Sequence, residues 1–156
     1  MKTKKIDNVD LAILTAIYKD SRLSNKDLAE KLGIAPSTSL ERVKRLHKEG
    51  ILQNYFAEID YKSLGVNLQA MVSIRLDKHT QEKVEQFKKN ILEAKEVISI
   101  YHMGGENDFL IHIAVNDVEH LRDFIYLAFS SQSGVEHIST ALIYEHQRSR
   151  VLPYQL

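Results

Sequence analysis

The chain has 156 residues, 44% of them hydrophobic, with 21 basic and 21 acidic side chains and no cysteine. That length fits one or two small domains with ordinary cores, and the lack of cysteine excludes a disulfide scaffold, a thiolate metal site and a thiol nucleophile. No apolar run approaches a membrane span and no apolar stretch follows Lys2-Thr3-Lys4-Lys5, so the expectation is a cytoplasmic protein without a standard signal peptide.

From Ile6 to about Gly50 the apolar spacing is helical. Ile6, Val9, Ile13, Ala16 and Ile17 share one face, which Leu14 and Tyr18 widen, and Asp7 stands at the entrance, where a carboxylate favours a helix N-terminus. Ser24 fits an N-cap for a helix from Asn25 to Leu32, with Asp27 at its third position. Gly33 closes that helix. Pro36 opens the next where its missing N–H costs nothing, and Gly50 closes the third. Residues from Ile51 to Ile59 read as an extended segment, either a short wing or an arm leaving the domain. The boundary falls between Tyr61 and Asn67, giving domains of residues 1–60 and 61–156.

The stretch from Leu28 to Leu46 carries the functional reading. A helix that ends in glycine, a tight turn and a proline-started helix with hydroxyls and arginines form the pattern that lays one helix in the major groove of double-stranded DNA. In that third helix Leu40, Val43, Leu46 and His47 are expected to face the preceding helix, with Thr38, Glu41, Arg42 and Arg45 pointing away. Ser37, Thr38 and Ser39 occupy the first turn, from which hydroxyls reach bases or phosphates. Arg42, Lys44 and Arg45 can neutralise phosphates, and an arginine can grip guanine through two hydrogen bonds. The plain alternative is an amphipathic helix with a solvated charged face. Residues 1–60 hold 11 Lys+Arg against 9 Asp+Glu, and residues 61–156 hold 10 against 12. Positive charge is therefore local, and weak nonspecific affinity supported by more than one DNA-reading unit is expected.

Beyond residue 67 the period changes to two. Leu68, Ala70, Val72, Ile74 and Leu76 share one strand face. A helix with Val84, Phe87, Ile91 and Leu92 follows. Next come strands at Val97 to Met103 and Phe109 to Val115, a helix from Val118 to Phe129, a Ser130-Ser131-Gln132-Ser133-Gly134 loop, and a strand from Val135 to Glu145. The order is the ferredoxin-like βαββαβ, with both helices on one sheet face. The fold class is α+β: a three-helix, winged helix-turn-helix followed by this sheet domain. Strands two to four do not alternate cleanly, so the second sheet face is also expected to be covered, by the same sheet of a second subunit. Scattered surface hydrophobes are the plainer explanation.

These segments resemble the Lrp/AsnC, or feast/famine, family of transcription regulators. The likeness is carried by Ile6-Asp7-Asn8-Val9-Asp10-Leu11-Ala12-Ile13-Leu14, by the turn around Gly33 and by Gly50-Ile51-Leu52-Gln53-Asn54-Tyr55. Gly105-Glu106-Asn107-Asp108-Phe109-Leu110 is similar to the Gly-x-x-Asp-aromatic turn of that family's amino-acid-sensing domain. The resemblance implies a homodimer that assembles to a tetramer or octamer, bends DNA and responds to a small effector, usually a free amino acid. It places the effector at Gly104, Gly105, Asn107 and Asp108, with Ser139 and Thr140 as secondary candidates. Amides freed by paired glycines would hold a carboxylate there and Asp108 an ammonium; a glycine-rich hairpin whose Asp108 merely bonds its own backbone is the alternative. Two positions depart from the family pattern. Ala35 replaces a capping serine, at a cost of about 1 kcal/mol, and Gly104 replaces a hydroxyl residue.

Seven dispersed histidines form no His-x-x-x-His pair, so no metal or other cofactor is expected. The sequence offers no nucleophile–base pair, and an enzyme is not expected. An architectural DNA-compacting protein with little effector control is the alternative function. Arg45→Ala is expected to weaken operator binding in a gel-shift titration while leaving the oligomer intact.

Overall fold

The computed structural model describes residues 6–78, 80–130 and 134–154. Lys2, Lys4 and Lys5, and Ser131 to Ser133 of the expected loop, lie outside these. The chain divides into two units: residues up to 58 together with residues from 147 onward, and residues 59–146.

In the first unit, helices α1 (Asn8–Lys19), α2 (Asn25–Leu32) and α3 (Pro36–Lys48) follow the predicted starts and stops. Asp7 and Ser24 each accept a hydrogen bond from the third backbone N–H of their helix, and Asp10 and Asp27 return the bond to the capping residue's own N–H. Gly33 ends α2 at φ +66°, and Ile34 N–H then reaches back to Ala29 O at 3.0 Å. Ala35 supplies no side-chain cap to α3. Instead Asn25 at the start of α2 donates to Pro36 O at 2.8 Å and ties the two helices together at the turn. Ile13, Ala16, Ile17, Leu28 and Leu46 form the core, with Val9, Leu14, Leu23, Leu32, Ile34, Val43, Ile51 and Leu52 around it.

The inward line of α3 differs from the expected one. Ser39 is fully buried, whereas Leu40 is 43% exposed. A 100° step explains it: Ser39, Val43 and Leu46 fall within one narrow arc, and Leu40 stands about 60° beyond its edge. After α3 the chain is extended without a strand partner as far as a 3-10 turn at Lys62–Leu64. Residues 147–154, continuous in sequence with the sheet domain, return to the helical unit. There Arg148 lies over the Tyr18 ring, 5.7 Å from its centroid, and Arg150 approaches Glu58 at 3.8 Å.

The second unit contains β1 (Leu68–Leu76), α4 (Gln81–Leu92), β2 (Val97–His102), β3 (Phe109–Val115), α5 (Val118–Ile125) and β4 (Val135–Ile143); a π-helical turn, Tyr126–Ser130, extends α5. The antiparallel sheet runs β2-β3-β1-β4, the ferredoxin-like order. Ala70, Val72, Ile74 and Leu76 of β1 join Phe109, Ile111, Ile113 and Val115 of β3 beneath Val84, Phe87, Ile91, Leu121, Phe124 and Phe129. The stacked Phe87 and Phe109 rings, 4.8 Å apart, pin α4 to β3. On the opposite face Gln69, Met71, Ser73, Leu110 and Ala114 are half-buried, and His112 is buried. His112 Nε2–H donates a 2.9 Å hydrogen bond to Gln69 Oε1, and burial, helped by the nearby His146, pushes its pKa down.

An added Cβ at Gly33 would meet nothing within 4 Å, so a substitution there costs backbone conformation alone. Gly33→Ala is expected to destabilise the helical unit by about 1 kcal/mol. Gly33→Asn should cost less, because Asn tolerates the left-handed region. Denaturant melts of the two variants read the difference.

Candidate functional sites

The first site is the outer surface of α3. Ser37 and Thr38 are exposed on its opening turn, and Lys44 is exposed further along, without an ion pair among the described residues. Ser39 does not belong with them. It has no accessible surface and, among the described residues, its hydroxyl has no hydrogen-bond partner, so it packs inside the helical unit and cannot reach a groove.

Arg42 and Arg45 are held by α1. Arg42 Nη1 donates to Asp7 Oδ2 at 2.6 Å and to Asp10 Oδ1 at 2.9 Å, while Arg45 Nη2 donates to Asp10 Oδ2 at 2.5 Å. The Asp10 side chain is only 1% exposed, against 27% for Arg42 and 38% for Arg45. Arg45 also lies 3.8 Å from Glu49, one turn on. Hydrogen bonding from Arg42 leads the causes that lower the Asp7 pKa to about 2. Burial opposes ionisation of Asp10, yet hydrogen bonds from Arg45, the Asp7 N–H and Arg42 outweigh it and keep its pKa below the usual carboxylate value. Asp7, Asp10, Arg42 and Arg45 thus form one hydrogen-bonded cluster, with Glu49 outside it near Arg45. It lines one open groove with Ile6, Thr38 and Glu41.

The second site is the turn between β2 and β3. Met103 N–H donates to Asp108 O at 2.8 Å, and Asp108 N–H donates to Ile74 O at 2.9 Å, so the turn is anchored to both neighbouring strands. The Asp108 carboxylate accepts from Leu76 N–H at 2.7 Å. Part of its capacity therefore serves the end of β1, a partner on another strand that neither sequence reading named. Gly104 and Gly105 have open space where a Cβ would stand, and Asn107 is half-buried. Ser139 and Thr140 lie on β4 opposite Ser73 and Val72 respectively. Their side chains leave opposite faces of the sheet, with Thr140 on the helix side, so the two cannot serve one ligand together. Arg75, which the sequence reading did not select, forms a two-point ion pair with Glu136. That hydrogen bonding leads the causes that raise its pKa, and Glu106 and Asp108 of the turn add to it. Among the described residues no group of three His, Asp or Glu side chains is placed to hold a metal ion, and no helix is long and apolar enough to cross a membrane.

Residues 69–151 match the Lrp/AsnC ligand binding domain, and residues 6–53 match a winged helix-turn-helix DNA-binding domain. The chain belongs to the Lrp/AsnC family. It is 36% identical over 148 residues to the HTH-type transcriptional regulator AldR of Mycolicibacterium smegmatis, covering 95% of this chain and 86% of that one. It is 30% identical over 142 residues to the leucine-responsive regulatory protein of Escherichia coli, covering 91% and 87%. Among solved structures, a Neisseria meningitidis transcriptional regulator in complex with L-Met superposes with a TM-score of 0.86 at 26% identity, covering 96% and 97%. The MtbAldR structure superposes with a TM-score of 0.75 at 33% identity, covering 94% and 99%. Like these family members, the chain joins a DNA-binding helix-turn-helix to a ligand-binding domain and is a transcriptional regulator.

The sequence reading missed the role of Asp10. The available signal was its position: Asp10 falls on the same helical stripe as Ile6, Ile13 and Ile17, where a buried carboxylate requires cationic partners. The depressed pKa of Asp7 has a measurable consequence. Its contribution to stability is fully present above the unfolded value of 3.8 and is lost as the pH falls through about 2. Asp7→Asn is expected to flatten the dependence of the melting temperature on pH across that window, and circular-dichroism melts at stepped pH check it.

Proposed function

We propose that this regulator reads a specific DNA operator with α3 and changes its assembly or DNA affinity when a free amino acid binds its sheet domain. The observation that carries the DNA half is the α2–Gly33–α3 pair, which leaves Ser37, Thr38 and Lys44 exposed on one helix. Ser37 and Thr38 read base edges or adjacent phosphates, and Lys44 neutralises a phosphate. Arg42 and Arg45 border the same surface, though losing either also strips a partner from buried Asp10.

The effector half is supported by the relative solved with L-Met and by the open glycine turn. Amides of the turn at Gly104 and Gly105 hold the effector's carboxylate, and the acidic side of the turn, with Asn107 and Asp108, receives its ammonium group. Ser139 and Thr140 act at most singly. The half-buried open sheet face meets the same face of a second chain, and further pairing gives a tetramer or octamer. Two-fold symmetry then sets two recognition helices at a fixed spacing. An effector bound more tightly by one assembly than another shifts that spacing. The protein acts on chromosomal DNA in the cytoplasm and performs no chemical reaction.

The test is a binding titration against DNA from upstream of the protein's own gene and against random DNA, with and without the twenty amino acids. Specific binding that moves with the amino acids is expected. Specific binding indifferent to them would favour an architectural role, and no binding to either DNA would overturn the assignment of α3. Thr38→Val is expected to weaken operator binding about tenfold while sparing random DNA, whereas Lys44→Ala weakens both.

A further inference from the structure

The arginines of α3 would ordinarily count toward affinity for any DNA. Here their charge is already answered within the protein. Asp7 and Asp10 take hydrogen bonds from Arg42, and Asp10 takes another from Arg45. Each guanidinium in such a pair condenses few anions of its own, and a phosphate must displace a carboxylate to reach it. The cluster shares its groove with Thr38 on the opening turn of α3, so this cancellation occurs at the edge of the DNA-facing surface. The groups differ in what they can release. Asp10 is buried and fixed, while the Asp7 side chain is 53% exposed.

We infer that Asp7 is a specificity-determining residue: it cancels the charge of Arg42 and so holds down the affinity of the recognition helix for random DNA. The inference rests on the reading of α3 as the DNA-facing helix. Without Asp7, Arg42 keeps only Asp10, a carboxylate it shares with Arg45, and the groove gains one net positive charge. An uncompensated arginine attracts phosphates regardless of sequence. Random DNA therefore gains more than an operator whose affinity also rests on base contacts.

The experiment uses the full chain carrying Asp7→Asn, because Asn caps a helix about as well as Asp and preserves α1. Binding to operator and to random duplex is measured between about 50 and about 200 mM salt. For random DNA, the expected results are several-fold tighter binding at low salt and a log–log salt slope steeper by up to about 1. The ratio of operator to random affinity should fall. Adding Arg42→Gln to Asp7→Asn should abolish the gain; a gain that survives does not run through Arg42 and would overturn the inference. An unchanged slope, or weaker binding to random DNA, would overturn it as well. Asp7→Ser, which also caps, replaces Asp7→Asn if that variant loses helix content by circular dichroism. Failure of the wild-type chain to bind any DNA would instead defeat the reading of α3.

Discussion

The carboxylate of Asp10 is the constraint around which the helical unit is arranged. A charge that has left water must be met by partners with good geometry, or the fold loses stability. Asp10 meets two guanidiniums and the Asp7 N–H. Both arginines come from α3, 32 and 35 residues along the chain, so the bonds fix how α1 lies on the recognition helix. An apolar contact between Ile13 and Leu46 could set the separation of two helices but would leave rotation and sliding loosely defined. Directional hydrogen bonds restrict both. The same carboxylate completes the capping box with Asp7, so the start of α1 and the attitude of α3 are settled by one side chain.

The sheet unit relies on a different device. Its two faces have unequal claims on apolar residues. The helix-covered face is filled by alternate residues of β1 and β3 and by three phenylalanines. The other face carries Met71, Leu110 and Ala114 among polar neighbours, and at its centre a buried histidine is satisfied by Gln69. Such a surface is too apolar to be wholly at ease in water and too polar to be an interior, a mixture suited to contact between copies of a chain. The β2–β3 turn hangs from β1 through the backbone and side chain of Asp108. Two hydrogen bonds therefore tie the turn to the end of a central strand.

Local chemistry made much of this legible before any coordinates. The βαββαβ order followed from the change of period near residue 67, and the unbroken alternation of β1 identified its buried face residue by residue. Gly33, Ser24 and Pro36 marked the turn because each has a specific backbone reason to stand there. The misjudgements arose where a residue's type argued against its place. Leu40 looked internal and Ser39 external, but the arc set by Val43 and Leu46 admits the serine and excludes the leucine. Arg42 and Arg45 looked solvated, since nothing in their own helix announces a buried acid thirty-odd residues earlier. Arg75 was unreadable for the same reason: its partner Glu136 is brought beside it only by the β1–β4 pairing, at a bulge in the register.

The return of residues 147–154 to the helical unit has a bearing on synthesis. Both ends of the described chain contribute to that unit, and the entire sheet domain is spliced between them. During translation the three helices emerge first and can close their own core around Leu46 at once. Arg148 and Arg150, however, reach Tyr18 and Glu58 only after the last strand has left the ribosome. The DNA-reading half is thus begun first and finished last, and its final contacts are available only to a chain that has been translated through its sensing half.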